Sequence, residues 1–297
     1  MKKKHAVMAG AALTGASYVA YRQITEEMMK QIFNRVDLKE ITDAEYLEWL
    51  ACSEATKVTV RSFDGLKLSA YNVHNHEDGP YIVMVHGKSS NKSSLYPKAK
   101  RFDELGYNVL LIDQRSAGDS EGEYYTYGLK EAQDLQIWIS YLTDKYPNLK
   151  ICLYGFSMGA ATVMMTASYE LPNEVRCIVE ESGFSSFKEL MDHILKKDYK
   201  LSVTFPVLKM LEKKMEQRFG MGFDDVSAKK CLEENEIPIL FIHGEKDEIV
   251  PFEMAKILYN HNKGEKKFYP LSDAGHGECC KDENYYKNVD SFIRSYM

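Results

Sequence analysis

The chain has no excess of basic residues and no Cys-x-x-Cys pair, and each absence removes a class of function. Lys and Arg number 38 against 44 Asp and Glu, giving a formal charge of -6. No general positive field exists to draw nucleic acid, so none is expected as a partner. Zinc-finger, P-loop and dinucleotide-binding fingerprints are also missing at usable spacing. The six cysteines (Cys52, Cys152, Cys177, Cys231, Cys279, Cys280) are scattered along 297 residues. In a chain this long they read as reduced thiols rather than a disulfide framework. Cys279 and Cys280 lack companion ligands, so no metal site is expected there. Internal repeats and low-complexity segments are absent.

What is present is the composition of a globular protein, 44% hydrophobic and 28% charged. One or two α/β domains fit the length. The N-terminus differs from the rest. Lys2, Lys3, Lys4 and His5 precede a charge-free run from Ala6 to Tyr21, closed by Arg22. That is the layout of a signal peptide or short signal anchor. The run is short and weakly apolar for a span, and no A-x-A cleavage site follows. Residues 1–30 are therefore set apart as an N-terminal segment and membrane association through it is favoured, the other reading being a helix packed on a cytoplasmic domain.

Residues 31–297 are expected to form the main domain. Asn34 to Ala51 suggests helical pieces. Alternating residues then run from Lys57 to Phe63 and from Leu66 to Val73 around Asp64-Gly65, predicting an antiparallel pair. Short apolar strands follow at Tyr81–Val85, Asn108–Ile112, Lys150–Tyr154, Val175–Val179, Pro238–Ile242 and Lys267–Leu271. Helix-length segments separate most of them, and a last amphipathic helix covers Asn284 to Tyr296. Such alternation predicts a mostly parallel, doubly wound sheet with its chemistry at the carboxyl ends of the strands. The stretch from about 184 to 236 is too long for a plain crossover and is read as a helical cap.

The chemistry centres on Gly155-Phe156-Ser157-Met158-Gly159, which follows an apolar strand and opens a helix. In that context G-x-S-x-G is a nucleophile turn, with Ser157 raised above the sheet and small residues preventing clashes. A serine hydroxyl needs a base to take its proton. His276, between Gly275 and Gly277 after the last strand, is the candidate. Asp247, after the penultimate strand, would fix its tautomer; Glu248, Glu180 and Glu181 are the competitors. The remaining loop histidines read as solvated bystanders. Two amides should hold an oxyanion, that of Met158 and that of Lys88 in the loop His86-Gly87-Lys88-Ser89-Ser90. The Lys88 ammonium is most simply solvated, though it could favour anionic or polar acyl groups.

In order along the chain, His86-Gly87, Asp113-Gln114-Arg115-Ser116-Ala117-Gly118-Asp119-Ser120-Glu121-Gly122, Gly155-Phe156-Ser157-Met158-Gly159, His243-Gly244-Glu245-Lys246-Asp247 and Gly275-His276-Gly277 resemble the α/β-hydrolase superfamily. The likeness is greatest to bacterial serine-aminopeptidase-like hydrolases and spans roughly Thr56 to Met297. It implies the α/β-hydrolase fold, a triad of Ser157, Asp247 and His276, and oxyanion donors at Lys88 and Met158. Ser116 departs from the family pattern, standing where glycine is usual; Asp113 and Arg115 are expected to hold the loop beside the nucleophile turn.

Lys196 to Arg218 interleaves seven cations and three anions with apolar residues, and Pro206 divides it into two helices. Its apolar face is expected over a pocket, which favours uncharged acyl or aromatic groups. The expectation is a serine hydrolase of small, acyl or aromatic carboxylic esters, needing neither metal nor organic cofactor. A peptidase of short peptides would use the same residues. A non-catalytic, membrane-tethered binding module is the alternative of another class.

Overall fold

The computed structural model describes the backbone of residues 2–297 and the side chains from Ser17 onward. The basic and apolar side chains at residues 2–16, on which the signal-anchor reading rests, lie outside the described residues. Helix α1 (Lys2–Phe33) leads to α2 (Ala44–Cys52) and the hairpin β1 (Thr56–Arg61) and β2 (Lys67–Val73). Then come β3 (Tyr81–Val85), α3 (Tyr96–Glu104), β4 (Asn108–Ile112), α4 (Leu129–Lys145), β5 (Ile151–Phe156), α5 (Met158–Thr166) and β6 (Val175–Glu181). The insertion carries α6 (Phe187–Lys197), α7 (Phe205–Phe219) and α8 (Ala228–Cys231). The chain closes with β7 (Ile239–Gly244), α9 (Phe252–His261), β8 (Lys266–Leu271) and α10 (Tyr285–Arg294).

Eight strands form one sheet in the order β1-β2-β4-β3-β5-β6-β7-β8. Among the described strands β2 alone is reversed, pairing antiparallel with β1 and β4, while the remaining pairings are parallel. The central strands are continuous apolar runs because helices cover both faces. Val83, Val85, Leu153, Ile178 and Phe241 face one buried layer; Ile82, Met84, Tyr154, Val179 and Ile242 face the other. Edge strand β8 buries only Leu271, as a half-covered strand should.

Two local expectations change. Residues 34–43 contain no helix; α2 begins where Asp43 caps it by accepting from the Tyr46 amide. Helix α1 also crosses residue 30 without a break, so the boundary drawn there falls inside a helix. Its last turns are built into the domain. Met28, Met29, Ile32 and Phe33 share one core with Val207, Leu208, Leu211 and Met215 of α7. The apolar face of α7 is thus packed against α1 rather than left over a pocket. Pro206 sits in the first turn of α7, where its missing N–H costs nothing.

Beneath the carboxyl ends of β5 and β6, Lys98 reaches Glu181 at 2.9 and 2.7 Å and the Tyr154 hydroxyl at 2.8 Å. Burial alone would raise the Glu181 carboxyl; Lys98 and two tyrosine hydroxyls more than reverse that and hold it below its ordinary value. Replacing Lys98 by Met leaves Glu181 buried and unpaired. That is expected to cost about 3–5 kcal/mol in chemical denaturation, with partial recovery when Glu181→Gln is added. Equal stability of Lys98→Met and the wild type would refute this account of the cluster.

Candidate active site

The turn from β5 into α5 is forced by close backbone approach. Ser157 has φ 55° and ψ -115°, a strained conformation for a residue with a side chain. A Cβ on Gly155 would come within 2.3 Å of the Gly159 carbonyl oxygen, and one on Gly159 within 2.1 Å of the Val85 oxygen. Hence α5 crosses the end of β3 only with glycine at both places. The Ser157 amide is tied to the Glu181 carbonyl at 2.9 Å, which fixes the turn to β6. The hydroxyl therefore stands at the positive end of α5.

Loops from the far half of the sheet complete the site. Ser157 Oγ lies 3.0 Å from Nε2 of His276, whose Nδ1 lies 2.7 Å from Oδ2 of Asp247. Nδ1 donating to a carboxylate leaves Nε2 free to accept from the serine. Oδ1 of Asp247 accepts the Ile249 and Val250 amides, both at 2.9 Å. Burial would raise the Asp247 carboxyl, but hydrogen bonds from His243 and His276 hold it well below the usual carboxylate range. The competing acids lie elsewhere: Glu248 is exposed and pairs with Lys197 at 3.0 Å, and Glu181 is taken by Lys98. The Phe156 ring packs 5.0 Å from the His276 ring.

The loop after β3 passes directly beside the serine, with the Cβ position of Gly87 only 3.3 Å from that of Ser157. His86 shapes this loop: Nδ1 donates to the Gly87 carbonyl at 2.7 Å, and Nε2 accepts from the Gln114 amide at 3.1 Å. Burial accordingly pulls its proton affinity down. The Lys88 amide has no acceptor among the described residues, and Met158 opens α5, where an amide has no intrahelical acceptor. The Lys88 ammonium is neither free nor aimed at a substrate. It donates to the Gln31 carbonyl of α1 at 3.0 Å and to Ser89 at 3.1 Å. No sequence signal foretold that contact.

Asp113 and Arg115 hold the neighbouring loop, as expected. Asp113 accepts from the Lys92 amide at 2.8 Å and its ammonium at 2.6 Å; Arg115 clamps Asp134 at 2.7 Å through two nitrogens. Ser116 adopts φ 63°, the conformation for which glycine is the usual choice, and its hydroxyl donates to the Tyr124 carbonyl at 2.7 Å. The remaining loop histidines are not all bystanders, since His74 stacks on Tyr146 at 4.4 Å and His76 Nε2 bonds the Asp103 carbonyl at 2.9 Å. His243, given no role in the sequence reading, has its Nε2 3.3 Å from Oδ2 of Asp247.

A parallel sheet with a serine turn, a histidine after its last strand and an acid after the one before it defines the α/β-hydrolase class. The family profile described as "Serine aminopeptidase, S33" matches residues 77–227, just over half of the 297, and the chain belongs to that family of hydrolases. The chain is 28% identical over 243 residues to the Bacillus subtilis protein YqkD, covering 81% of this chain and 79% of that one. It is 26% identical over 244 residues to the Saccharomyces cerevisiae membrane protein YNL320W, covering 80% and 78%. In fold it is similar to the Pyrococcus furiosus esterase Pf2001, with a TM-score of 0.71 at 24% identity over 90% of this chain and 98% of that one.

The close approach at Gly159 makes a direct prediction. Gly159→Ala must displace the backbone of β3 and is expected to lose about 3 kcal/mol of unfolding free energy. At Gly65, φ is +88° but nothing lies within 4 Å, so Gly65→Ala should cost about 1 kcal/mol. Paired urea titrations decide it, and equal costs would contradict the packing argument.

Proposed function

We propose that this hydrolase cleaves carboxylic esters through an acyl-enzyme on Ser157. The observation that carries the reading is the relay of 3.0 and 2.7 Å from a strained serine through His276 to Asp247. His276 takes the serine proton as the hydroxyl attacks the acyl carbon. The resulting oxyanion is received by the amides of Lys88 and Met158 at the positive end of α5. His276 then gives its proton to the leaving alcohol, and a water attacks the acyl-enzyme by the reverse sequence. The chemistry needs no metal and no organic cofactor.

Neutral acyl or aromatic groups fit the site better than anionic ones. Lys88 carries the nearby ammonium, and that group is engaged by Gln31 and Ser89. Beside the serine stands the apolar ring of Phe156. Short peptides are the second class of substrate, favoured by the family's description alone. The N-terminal segment is proposed to contact a membrane. The basic and charge-free run before Arg22 supports this, as does the yeast relative named a membrane protein. Among the described residues no helix is long and apolar enough to cross one.

Ser157→Ala is expected to abolish both labelling by a fluorophosphonate and turnover of p-nitrophenyl esters. Asp247→Asn should keep the fold and lower kcat by about 10⁴. Labelling that persists in Ser157→Ala removes the nucleophile; no labelling of folded wild type favours a binding module; aminoacyl-anilide turnover exceeding ester turnover makes the protein a peptidase. For the N-terminus, fractionation of full-length protein beside a form starting at Arg22 is the check. The shortened form keeps the buried turns of α1 and should leave the membrane fraction; identical partitioning removes the proposed contact.

A further inference from the structure

Behind the relay lies a second acid–base pair that hydrolysis as described does not use. In the register of the parallel sheet, Glu180 of β6 pairs with Phe241 of β7, so Glu180 and His243 fall on the same face, one pleat apart. Both are fully buried. The two histidine nitrogens have distinct surroundings. Nε2 lies 2.9 Å from the Val250 carbonyl oxygen, which only accepts, so Nε2 carries a proton. That N–H also faces Oδ2 of Asp247 at 3.3 Å, the oxygen that holds His276. Nδ1 has no partner. Neither has Oε1 of Glu180, whose other oxygen accepts from the Gly183 amide at 3.0 Å. Two complementary polar atoms are thus buried on one face without partners and beyond hydrogen-bond reach of each other, a costly arrangement unless one water joins them.

We propose that Glu180 and His243 form a buried acid–base pair sharing one proton, with Glu180 acting as a positioning residue that sets the charge behind Asp247. The pair rests on the Ser157–His276–Asp247 reading only for its catalytic consequence. Its two neutral arrangements, joined through one water, are a carboxylic acid with a neutral imidazole and a carboxylate with an imidazolium; loss of the shared proton leaves one negative charge. That charge adds to Asp247 and favours the state in which His276 carries the serine proton. Burial pushes the Glu180 carboxyl up to about 7, with the charge of His243 opposing it. Burial disfavours the imidazolium of His243, yet the hydrogen bond to Asp247 and the charge of Glu180 raise it on balance. Few other groups intrude. Glu181 is the next strand residue and is neutralised by Lys98; α5 offers only Met164 and Ala160 near Gly183, and α9 offers the ring of Phe252 at 6.0 Å from His243.

The test joins imidazole ¹⁵N NMR to a pH–rate profile. In the wild type, the His243 signal, identified by its loss in His243→Gln, should change between pH 5 and 9. In Glu180→Gln it should stay at the neutral Nε2–H tautomer across that range. The acid limb of kcat/KM for a p-nitrophenyl ester should move to lower pH in Glu180→Gln by roughly half a unit or more. Glu180→Asp should restore the wild-type position in part. A His243 signal that is invariant in the wild type overturns the pair without touching the triad, because NMR needs no turnover. An acid limb that is unchanged or moves to higher pH in Glu180→Gln overturns the positioning role. If Ser157→Ala retains labelling, the hydrolase reading fails while the NMR result still decides the pair.

Discussion

The structure depends on one close approach, that of α5 to the ends of β3 and β5. With a Gly159 Cβ position 2.1 Å from the Val85 oxygen, the helix starts almost on top of its neighbouring strand. Proximity of this kind is what lifts Ser157 to the rim and leaves the Met158 amide unpaired, since a helix that began one turn later would bury the serine in the crossover. Strain at Ser157 persists because its amide is tied to Glu181 and its carbonyl to Ala161. Backbone packing, rather than any hydrogen bond of the serine side chain, places Ser157.

Around that turn the sheet carries charges that would be prohibitive if left alone. Three buried carboxylates are answered by cations remote in sequence: Asp113 by Lys92, Asp134 by Arg115, Glu181 by Lys98. These pairs span separate strands and helices, so they fix register between elements as much as they stabilise them. Glu180 differs from these three, with a histidine in place of a lysine or arginine. An imidazole can lose its proton in the neutral range where a guanidinium cannot. The difference between Glu180 and Glu181, adjacent residues on opposite faces of one strand, separates a static ion pair from a titrating one.

The fold was legible because its strands are short apolar runs bounded by turn residues, and the periodicity changes at each boundary. Ser157 and His276 were legible because glycine spacing encodes backbone approach, and a loop after a terminal strand reaches the rim from a fixed direction. Order along the chain set Asp247 apart from Glu180 and Glu181 but not from the adjacent Glu248; only coordinates show that Glu248 turns outward to Lys197. What sequence could not reveal were pairings between remote segments whose local patterns are bland. His243 stood in the sequence only as part of a family motif, with nothing to pair it with Glu180, and the contact of Lys88 with Gln31 joins residues 57 positions apart. The stretch from 34 to 43 misled because its apolar residues match a helical period, although no backbone pattern there closes a helical turn.

That last contact changes how the N-terminal helix should be understood. Three of its final carbonyls have partners outside the helix: Gln31 from the Lys88 ammonium, Ile32 from the Tyr127 hydroxyl at 3.1 Å, Phe33 from the Tyr125 amide at 2.8 Å. A cation at a helix C-terminus also meets the negative end of its dipole. The same lysine follows Gly87, whose Cβ position lies 3.3 Å from that of Ser157. Apolar burial of Met28, Met29 and Phe33 against α7 holds the other side of the helix. The end of α1 is therefore wedged between the inserted helices and the loop after β3, and both would have to repack if it moved. Whatever the first residues of the chain attach to, their position is mechanically continuous with the loop that frames the serine.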